Sequence, residues 1–347
     1  MSRLALALVV ALLTVATACR GSEGAAADAG AVEPDGVDGT GCTPRTPRSV
    51  PLEAFVGPTG LQARITSAID SAQSTLDVHM YLFTVKDIAD HIVTARQRGV
   101  TVRVILDPDE AGNAAVTGIF NTGGIQWLNA SRVYSYAHAK YVLIDRTTAL
   151  VMSMNFNADA MVRERNYGFV DRDPEDVTDL RAIFDQDWQL AQGTSGPPAN
   201  LECTRLIVSP VNASQRIYDF INSATSTLDV EVLYITDATI RNAVGAAHDR
   251  GATVRLIMED PSDTASNAGI TTFMQQRTIP VRYAVDQFYL HAKLLIADGV
   301  AFVGSENMSS TSLSQNREVG GLVLEPEQVA VIQAQFDADW AITTPAY

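Results

Sequence analysis

Two tandem copies of a layered α/β domain, each a sheet covered by helices on both faces, are predicted by three observations. Apolar strands alternate with amphipathic helices, the same order of elements runs twice, and short strings recur at a nearly fixed offset. Ser74-Thr75-Leu76-Asp77-Val78 returns as Ser226-Thr227-Leu228-Asp229-Val230. Arg98-Gly99-Val100-Thr101-Val102-Arg103 returns as Arg250-Gly251-Ala252-Thr253-Val254-Arg255, and Pro58 returns as Pro210. With 347 residues, 46% hydrophobic and 19% charged, the chain can build two ordinary cores.

The elements of the first copy follow in order. Apolar residues at helical spacing mark 61–73, and 75–83 reads as a strand. Residues 85–99 are helical and stop at Gly99, and 100–106 is the next strand. Short strands follow at 140–145, 149–153 and 167–170, and a helix over 175–191 closes the copy. The second copy repeats the order and ends on a helix over 326–342. The copies are bounded as 42–193 and 203–347, with 194–202 as linker.

The first residues stand outside this plan. Residues 1–19 combine an early arginine, a short apolar run and small residues before a cysteine, as a secretory signal does. Ala16-Thr17-Ala18-Cys19 resembles a bacterial lipoprotein box, so Cys19 is the expected lipidation site, with simple cleavage and secretion as the alternative. Residues 20–41 are rich in Gly, Ala and Asp and read as a flexible tether. The expected location is therefore the cell envelope, periplasm or outer surface, with a lipid anchor to the membrane. Cys42 and Cys203 remain as a candidate disulfide between the starts of the two halves, or as two buried thiols.

The formal net charge is −15, which disfavours a general binder of polyanions and makes nucleic acid the less favoured partner. The chemistry concentrates in a repeated polar motif. His138, Lys140 and Asp145 are followed by Ser153 and Asn155; His291, Lys293 and Asp298 are followed by Gly304, Ser305 and Asn307. A histidine and a lysine two apart on a strand share one face. A titratable imidazole, a cation and neutral donors together suit a phosphoryl group. A lone pair of this kind is usually a solvated surface feature, but its recurrence with Asp, Ser and Asn in both halves favours a functional site. The acidic stretch 107–113 could suggest a metal, yet its counterpart 259–267 lacks matching ligand spacing, so turn-forming loops are the better reading.

The pattern H-x-K-x4-D followed by G-S-x-N, present twice, resembles the phospholipase D superfamily over roughly residues 50–342, with Met152 in place of the first glycine. The resemblance implies two α/β/α sandwich domains related by a pseudo-twofold axis, with one active site at their interface, formed within a monomer. It implies a phosphodiesterase that hydrolyses or transfers a phosphatidyl group without metal or cofactor, through a covalent phosphohistidine. His138, Lys140, Asp145, His291, Lys293 and Asp298 are the catalytic-motif residues, the aspartates being expected to hold structure more than to touch substrate. Ser153, Asn155, Ser305 and Asn307 are expected to bind the phosphate, and Asn166 and Glu318, each eleven residues past a motif asparagine, to orient the histidines. Each orienting residue is expected to serve the histidine of its own copy. That makes His138, beside a neutral amide, the nucleophile and His291, beside a carboxylate, the general acid. A phospholipid is the favoured substrate, with Tyr134, Tyr136, Phe288 and Tyr289 near the motifs as packing or as substrate contacts. An exported nuclease, drawing on Arg163, Arg165 and Arg317, and a binding protein made inactive by Met152 are the alternatives.

Overall fold

A computed structural model describes residues 48–196, 198–284 and 288–347, which lie in one compact unit. The expected signal, Cys19, the tether and Cys42 lie outside the described residues. Cys203 is engaged in a disulfide.

The first repeat runs β1 (Glu53–Gly57), α1 (Leu61–Ser71), β2 (Thr75–Met80), α2 (Lys86–Gln97), β3 (Thr101–Leu106), α3 (Ala114–Thr122), β4 (Gln126–Asn129), β5 (Tyr141–Ile144), β6 (Thr148–Met152), α4 (Ala158–Val162), β7 (Glu164–Asp171) and α5 (Pro174–Ala191). The second runs β8 (Ile207–Ser209), α6 (Ala213–Ser223), β9 (Thr227–Val232), α7 (Ala238–Asp249), β10 (Thr253–Met258), α8 (Asn267–Gln275), β11 (Val281–Tyr283), β12 (Tyr289–Leu290), β13 (Lys293–Ala297), β14 (Val300–Gly304), α9 (Ser310–Ser314), β15 (Glu318–Val323), α10 (Pro326–Ile342) and β16 (Thr344–Pro345).

The sheets have equivalent orders, β1-β7-β6-β5-β2-β3-β4 and β8-β15-β14-β13-β9-β10-β11-β16. β2, β3 and β4 are parallel, as are β9, β10 and β11, because a helix returns the chain between them; β5 and β13 enter antiparallel. Sequence periodicity left β1, α3, β4 and α4 unassigned. α3 carries only two buried residues, Val116 and Phe120, and β4 is half exposed, so neither shows a strong apolar rhythm.

Three apolar clusters account for the layers. Leu61, Ile65 and Ile69 place one stripe of α1 on the outer face of the first sheet, beside α2 and α3. Each such fully buried side chain contributes about 1.5–3 kcal/mol. Ile217, Ile221, Ile240 and Val244 do the same for the second repeat. The third cluster belongs to both repeats: Val177, Ile183 and Phe184 of α5 and Ile332 and Phe336 of α10 pack with Leu143, Phe169, Leu294 and Val303 from the two sheets. The inner helices are therefore shared, and the α/β/α sandwiches meet along a common core. Asp173 starts α5 by accepting from the backbone N–H of Glu175, with Pro174 in the first turn.

Candidate active site

Each histidine is delivered to the centre by a short backbone pairing with the other repeat. Ala137 bridges to Arg317, the N–H of His138 donates to the Arg317 carbonyl at 2.9 Å, and the N–H of Arg317 donates to the Tyr136 carbonyl at 2.9 Å. Reciprocally, β12 lies parallel to the start of β7, and the N–H of His291 donates to the Arg165 carbonyl at 3.2 Å. Two buried carboxylates hold these approaches: Asp107 accepts from the Ala137 N–H at 2.7 Å, and Glu259 accepts from the Leu290 N–H. The acidic loops are thus supports for the histidine strands, a role that sequence spacing alone did not reveal.

This pairing crosses the orienting residues between repeats. Nδ1 of His138 lies 2.8 and 2.9 Å from the Glu318 carboxylate oxygens. Nδ1 of His291 lies 3.1 Å from Oδ1 of Asn166 and 3.8 Å from Oε2 of Glu164. The expectation that each residue serves its own copy is therefore corrected, and with it the reasoning that gave His138 an amide and His291 a carboxylate. The cause is the backbone register: the residue before each orienting group, Arg317 or Arg165, bonds the opposite histidine strand.

The imidazoles are oriented with Nδ1 as donor, since an amide oxygen and a carboxylate can only accept. Nε2 is left for chemistry in both. Glu318 also accepts from Ser312 Oγ at 2.7 Å and Asn316 Nδ2 at 2.9 Å. Asn166 accepts from Ser153 Oγ at 2.8 Å and donates to Glu164 at 3.1 Å. Burial pushes both histidines down from their ordinary value; Glu318 opposes this at His138, whereas Lys293 and Lys140 push His291 well below it. Burial would raise Glu318, but His138 and Lys140 hold its carboxyl below the usual range.

Lys140 and Lys293 are among the largest fully buried side chains, and Nζ of Lys293 donates to the His291 carbonyl at 2.6 Å. Lys140 makes the matching bond to His138. Burial lowers Lys140 to about 8, partly offset by Glu318 and Glu306; it lowers Lys293 to about 7, with Lys140 adding to the effect. Two neighbouring ammonium groups with a reduced hold on their protons form a site that an arriving anion would stabilise.

The repeated domain is also legible in family comparisons. A domain description, "Cardiolipin synthase, PLD-like domain", matches twice, over residues 65–188 and 217–340. The chain belongs to the phospholipase D-like family.

Among its relatives, "Probable cardiolipin synthase YwiE" of Bacillus subtilis is 23% identical over 318 residues, covering 79% of this chain and 63% of the relative. "Mitochondrial cardiolipin hydrolase" of Chlamydomonas reinhardtii is 32% identical over 126 residues, 36% of this chain and 56% of the relative. The matches thus span less than two thirds of either relative's length. The crystal structure of phosphatidylserine synthase from Haemophilus influenzae shares the fold, with a TM-score of 0.67 at 13% identity, covering 85% of this chain and 87% of that one.

In this phospholipase D-like chain the remaining motif residues divide by position. Asn155 and Asn307 each keep a buried side-chain oxygen without a hydrogen-bond partner among the described residues, and Asn307 lines a cavity beside His138. Ser153 and Ser305 are fully buried and are spent on their own repeats, accepting from the N–H groups of Tyr167 and Val319 at 3.0 Å each. The expectation that they bind phosphate directly is corrected: Ser153 instead fixes Asn166.

Asp145 and Asp298 lie at the far ends of the motif strands. Asp145 accepts from the backbone of Gln73, Ser74 and Thr75, and Asp298 from Thr225, Ser226 and Thr227. They lock the turn to the next strand, which removes them from the catalytic group. Met152 is fully buried in the outer apolar cluster with Met154, so it does not crowd the site.

The cavity beside His138 holds about 550 Å³ and is lined by Tyr81, Tyr136, Tyr234, Thr264 and Ser309 among others. A second, of about 430 Å³, is lined by Arg163, Glu259, Asp263, Phe288 and Tyr289. A cavity of about 630 Å³ around Gly60, Arg64 and Arg172 contains no motif residue and lies apart from the chemistry. Tyr134 donates to Asp187 and stacks under Arg317, so it packs the interface instead of facing a ligand. Arg165 and Arg317 are likewise engaged, with Asp339 at 2.6 Å and Asp187 at 2.9 Å. Both bridges cross between repeats, and both were invisible as such in the sequence.

Proposed function

We propose that the protein is a phosphodiesterase of the phospholipase D type, which hydrolyses or transfers the phosphatidyl group of a phospholipid through a phosphohistidine. The observation that carries this reading is the convergence of two Nδ1-anchored imidazoles, one from each repeat, on two buried lysines. Neither repeat contains an oriented histidine without the other, so one chain forms one site.

His138 is the nucleophile. When its Nε2 attacks phosphorus, the imidazole becomes cationic, and the Glu318 carboxylate at 2.8 Å neutralises that charge as it forms. His291 is the general acid. Burial and the two lysines disfavour its imidazolium in the empty site, and the arriving anionic phosphodiester offsets those cations and lets it take up a proton. With only a neutral amide on Nδ1, it surrenders that proton readily to the departing alkoxide. The P–N bond forms as the P–O bond breaks, and the proton moves from His291 Nε2 to the leaving oxygen. Neutral His291 then takes a proton from water, or from an acceptor alcohol, which attacks phosphorus and releases His138. Lys140 and Lys293 hold the non-bridging oxygens, and the amides of Asn155 and Asn307 add hydrogen bonds.

A phospholipid substrate is supported by the family, by the acidic balance of the chain, and by the absence of a long basic track along the sequence. Export and lipidation at Cys19 are proposed from the N-terminal sequence, and would place the enzyme at the membrane that holds its substrate. The test is an assay of residues 42–347 in excess EDTA with phospholipid vesicles and single-stranded DNA in parallel. Headgroup release that survives EDTA and is lost in His138→Ala is expected. DNA cleavage alone would replace this reading with a nuclease, and tight vesicle binding without turnover would replace it with a binding protein.

A further inference from the structure

One aromatic side chain stands against the histidine of the first half-site and has an aliphatic counterpart in the second. Tyr81 directly follows β2, and its half-buried ring lies 4.6 Å from the His138 imidazole, centroid to centroid, at an interplanar angle of 62°. Nζ of Lys140 sits over the same ring, 5.2 Å from its centroid. Tyr136 also packs against it, edge to face, at 6.1 Å and 88°.

The backbone on either side of this ring is pinned. The Tyr81 carbonyl accepts from Nδ2 of the buried Asn113 at 2.9 Å, and the Phe83 N–H donates to Oδ1 of the same residue at 2.7 Å. Between them the Leu82 carbonyl accepts from the Phe156 N–H at 3.0 Å. The second repeat builds the same turn. β9 ends at Val232 as β2 ends at Met80, and Nδ2 of Asn267 donates to the Leu233 carbonyl at 3.0 Å. Leu233 therefore occupies the place of Tyr81 and offers no aromatic face. The ring belongs to the half-site whose histidine is bound by a carboxylate.

A nucleophilic imidazole must aim Nε2 at phosphorus and then carry positive charge. The Nδ1 contact with Glu318 holds one edge of the His138 ring and leaves its plane free to tip about that edge. An aromatic ring packed at 4.6 Å restricts that tipping, and aromatic faces attract cations such as the Lys140 ammonium and the imidazolium that forms on attack. We propose that Tyr81 is a positioning residue for His138: its ring sets the plane of the imidazole, and so the direction of Nε2, for attack on phosphorus. This rests on the reading of His138 as nucleophile. The ring carries the role and the hydroxyl does not, so Tyr81→Phe keeps it and Tyr81→Leu, which copies the second repeat, loses it.

The experiment follows the full chain and these two variants, with enzyme in excess, on bis(4-nitrophenyl) phosphate. This diester contains no lipid, and its leaving group needs no protonation, so single-turnover release of nitrophenolate reports the attack itself. Mass spectrometry of the quenched protein maps the phosphoryl group. In Tyr81→Leu the rate constant of release is expected to fall about tenfold, the scale of one desolvated contact between a cation and an aromatic ring, with the half-saturating concentration within about twofold of the parent. Tyr81→Phe is expected to stay within about twofold of the parent in both quantities. A general loosening of the fold would produce neither that rescue nor a loss confined to the rate constant.

A Tyr81→Leu rate equal to the parent's, a Tyr81→Phe rate as low as that of Tyr81→Leu, or a loss only in the half-saturating concentration would overturn the proposal and leave His138 as nucleophile. A phosphoryl group on His291, or a parent that releases no nitrophenolate, would overturn the proposal and the nucleophile reading together. A parent that gives the expected pattern on the aryl diester but frees no headgroup from phospholipid vesicles would sink the phospholipid reading alone and support Tyr81 in its role.

Discussion

The two half-sites have the same backbone and different chemistry. Around the first orienting position the order is Glu164-Arg165-Asn166; around the second it is Asn316-Arg317-Glu318. Each set brings one carboxylate, one amide and one interface arginine to the opposite histidine, but the group that touches Nδ1 is the amide for His291 and the carboxylate for His138. Swapping two residue types about a fixed arginine gives two otherwise equivalent imidazoles different partners, and the proposed roles of nucleophile and acid rest on that difference. The repeat accounts for the shared geometry, and a local exchange of partners for the asymmetry within it.

The most severe way to break this comparison is to remove either imidazole. His138→Ala and His291→Ala are each expected to lower kcat by at least about a thousandfold, measured on the same vesicles under single-turnover conditions. The two variants should differ in the first step. Given a substrate whose leaving alcohol needs no protonation, His291→Ala should still accumulate a phosphohistidine on His138, detectable by mass spectrometry after rapid quenching. A phosphoryl group found on His291 in the parent would reverse the assignment.

Next in size are the partners. Glu318→Gln removes the counter-charge of His138 and is expected to cost about a hundredfold or more in kcat, with KM little changed, because the charge develops only on the way to the phosphoenzyme. Asn166→Asp sharpens the contrast instead of abolishing it. A carboxylate on Nδ1 of His291 favours the imidazolium, so the alkaline limb that reports the acid should move to higher pH by about one unit. Glu164 stands beside that position, and the new pair would titrate together, so the shift should be read as belonging to the pair. No shift in the limb would mean that His291 is not the acid.

How much of this was legible in the sequence follows from the range of each interaction. The duplication, the layered fold and the two His-x-Lys strands are local patterns of period 2 and 3.6, and they can be read directly. Glu318 and Asn166 could be found by counting from the motif asparagines. Their destinations could not, because the crossing depends on His138 pairing with Arg317, 179 positions away in the chain, and on His291 pairing with Arg165. The supports Asp107 and Glu259 looked like turn formers for the same reason: the N–H groups they hold belong to other loops. Ser153 and Ser305 were misplaced because a hydroxyl near a phosphate motif looks the same in sequence whether it faces the ligand or the next strand.

The smallest expected effect on turnover concerns the residue that departs from the motif. Met152→Gly would restore the glycine of the second repeat, and if the glycine served catalysis directly, activity should rise. The structure gives the opposite expectation. Gly304 is needed where the carboxyl of Glu306 lies over the strand, and Met154 makes no such demand on the first repeat. The substitution would empty a fully buried methionine site and leave a glycine in the middle of a sheet. Stability should fall by roughly 3–5 kcal/mol, the sum of a large-to-small core deletion and the backbone entropy of glycine. The kcat of the folded fraction should stay within about twofold of the parent, since no group facing phosphate has changed. Urea unfolding paired with active-site titration separates the two quantities. A gain in kcat would show that Met152 does hinder the first half-site, and that the asymmetry between the repeats extends from their charges to their packing.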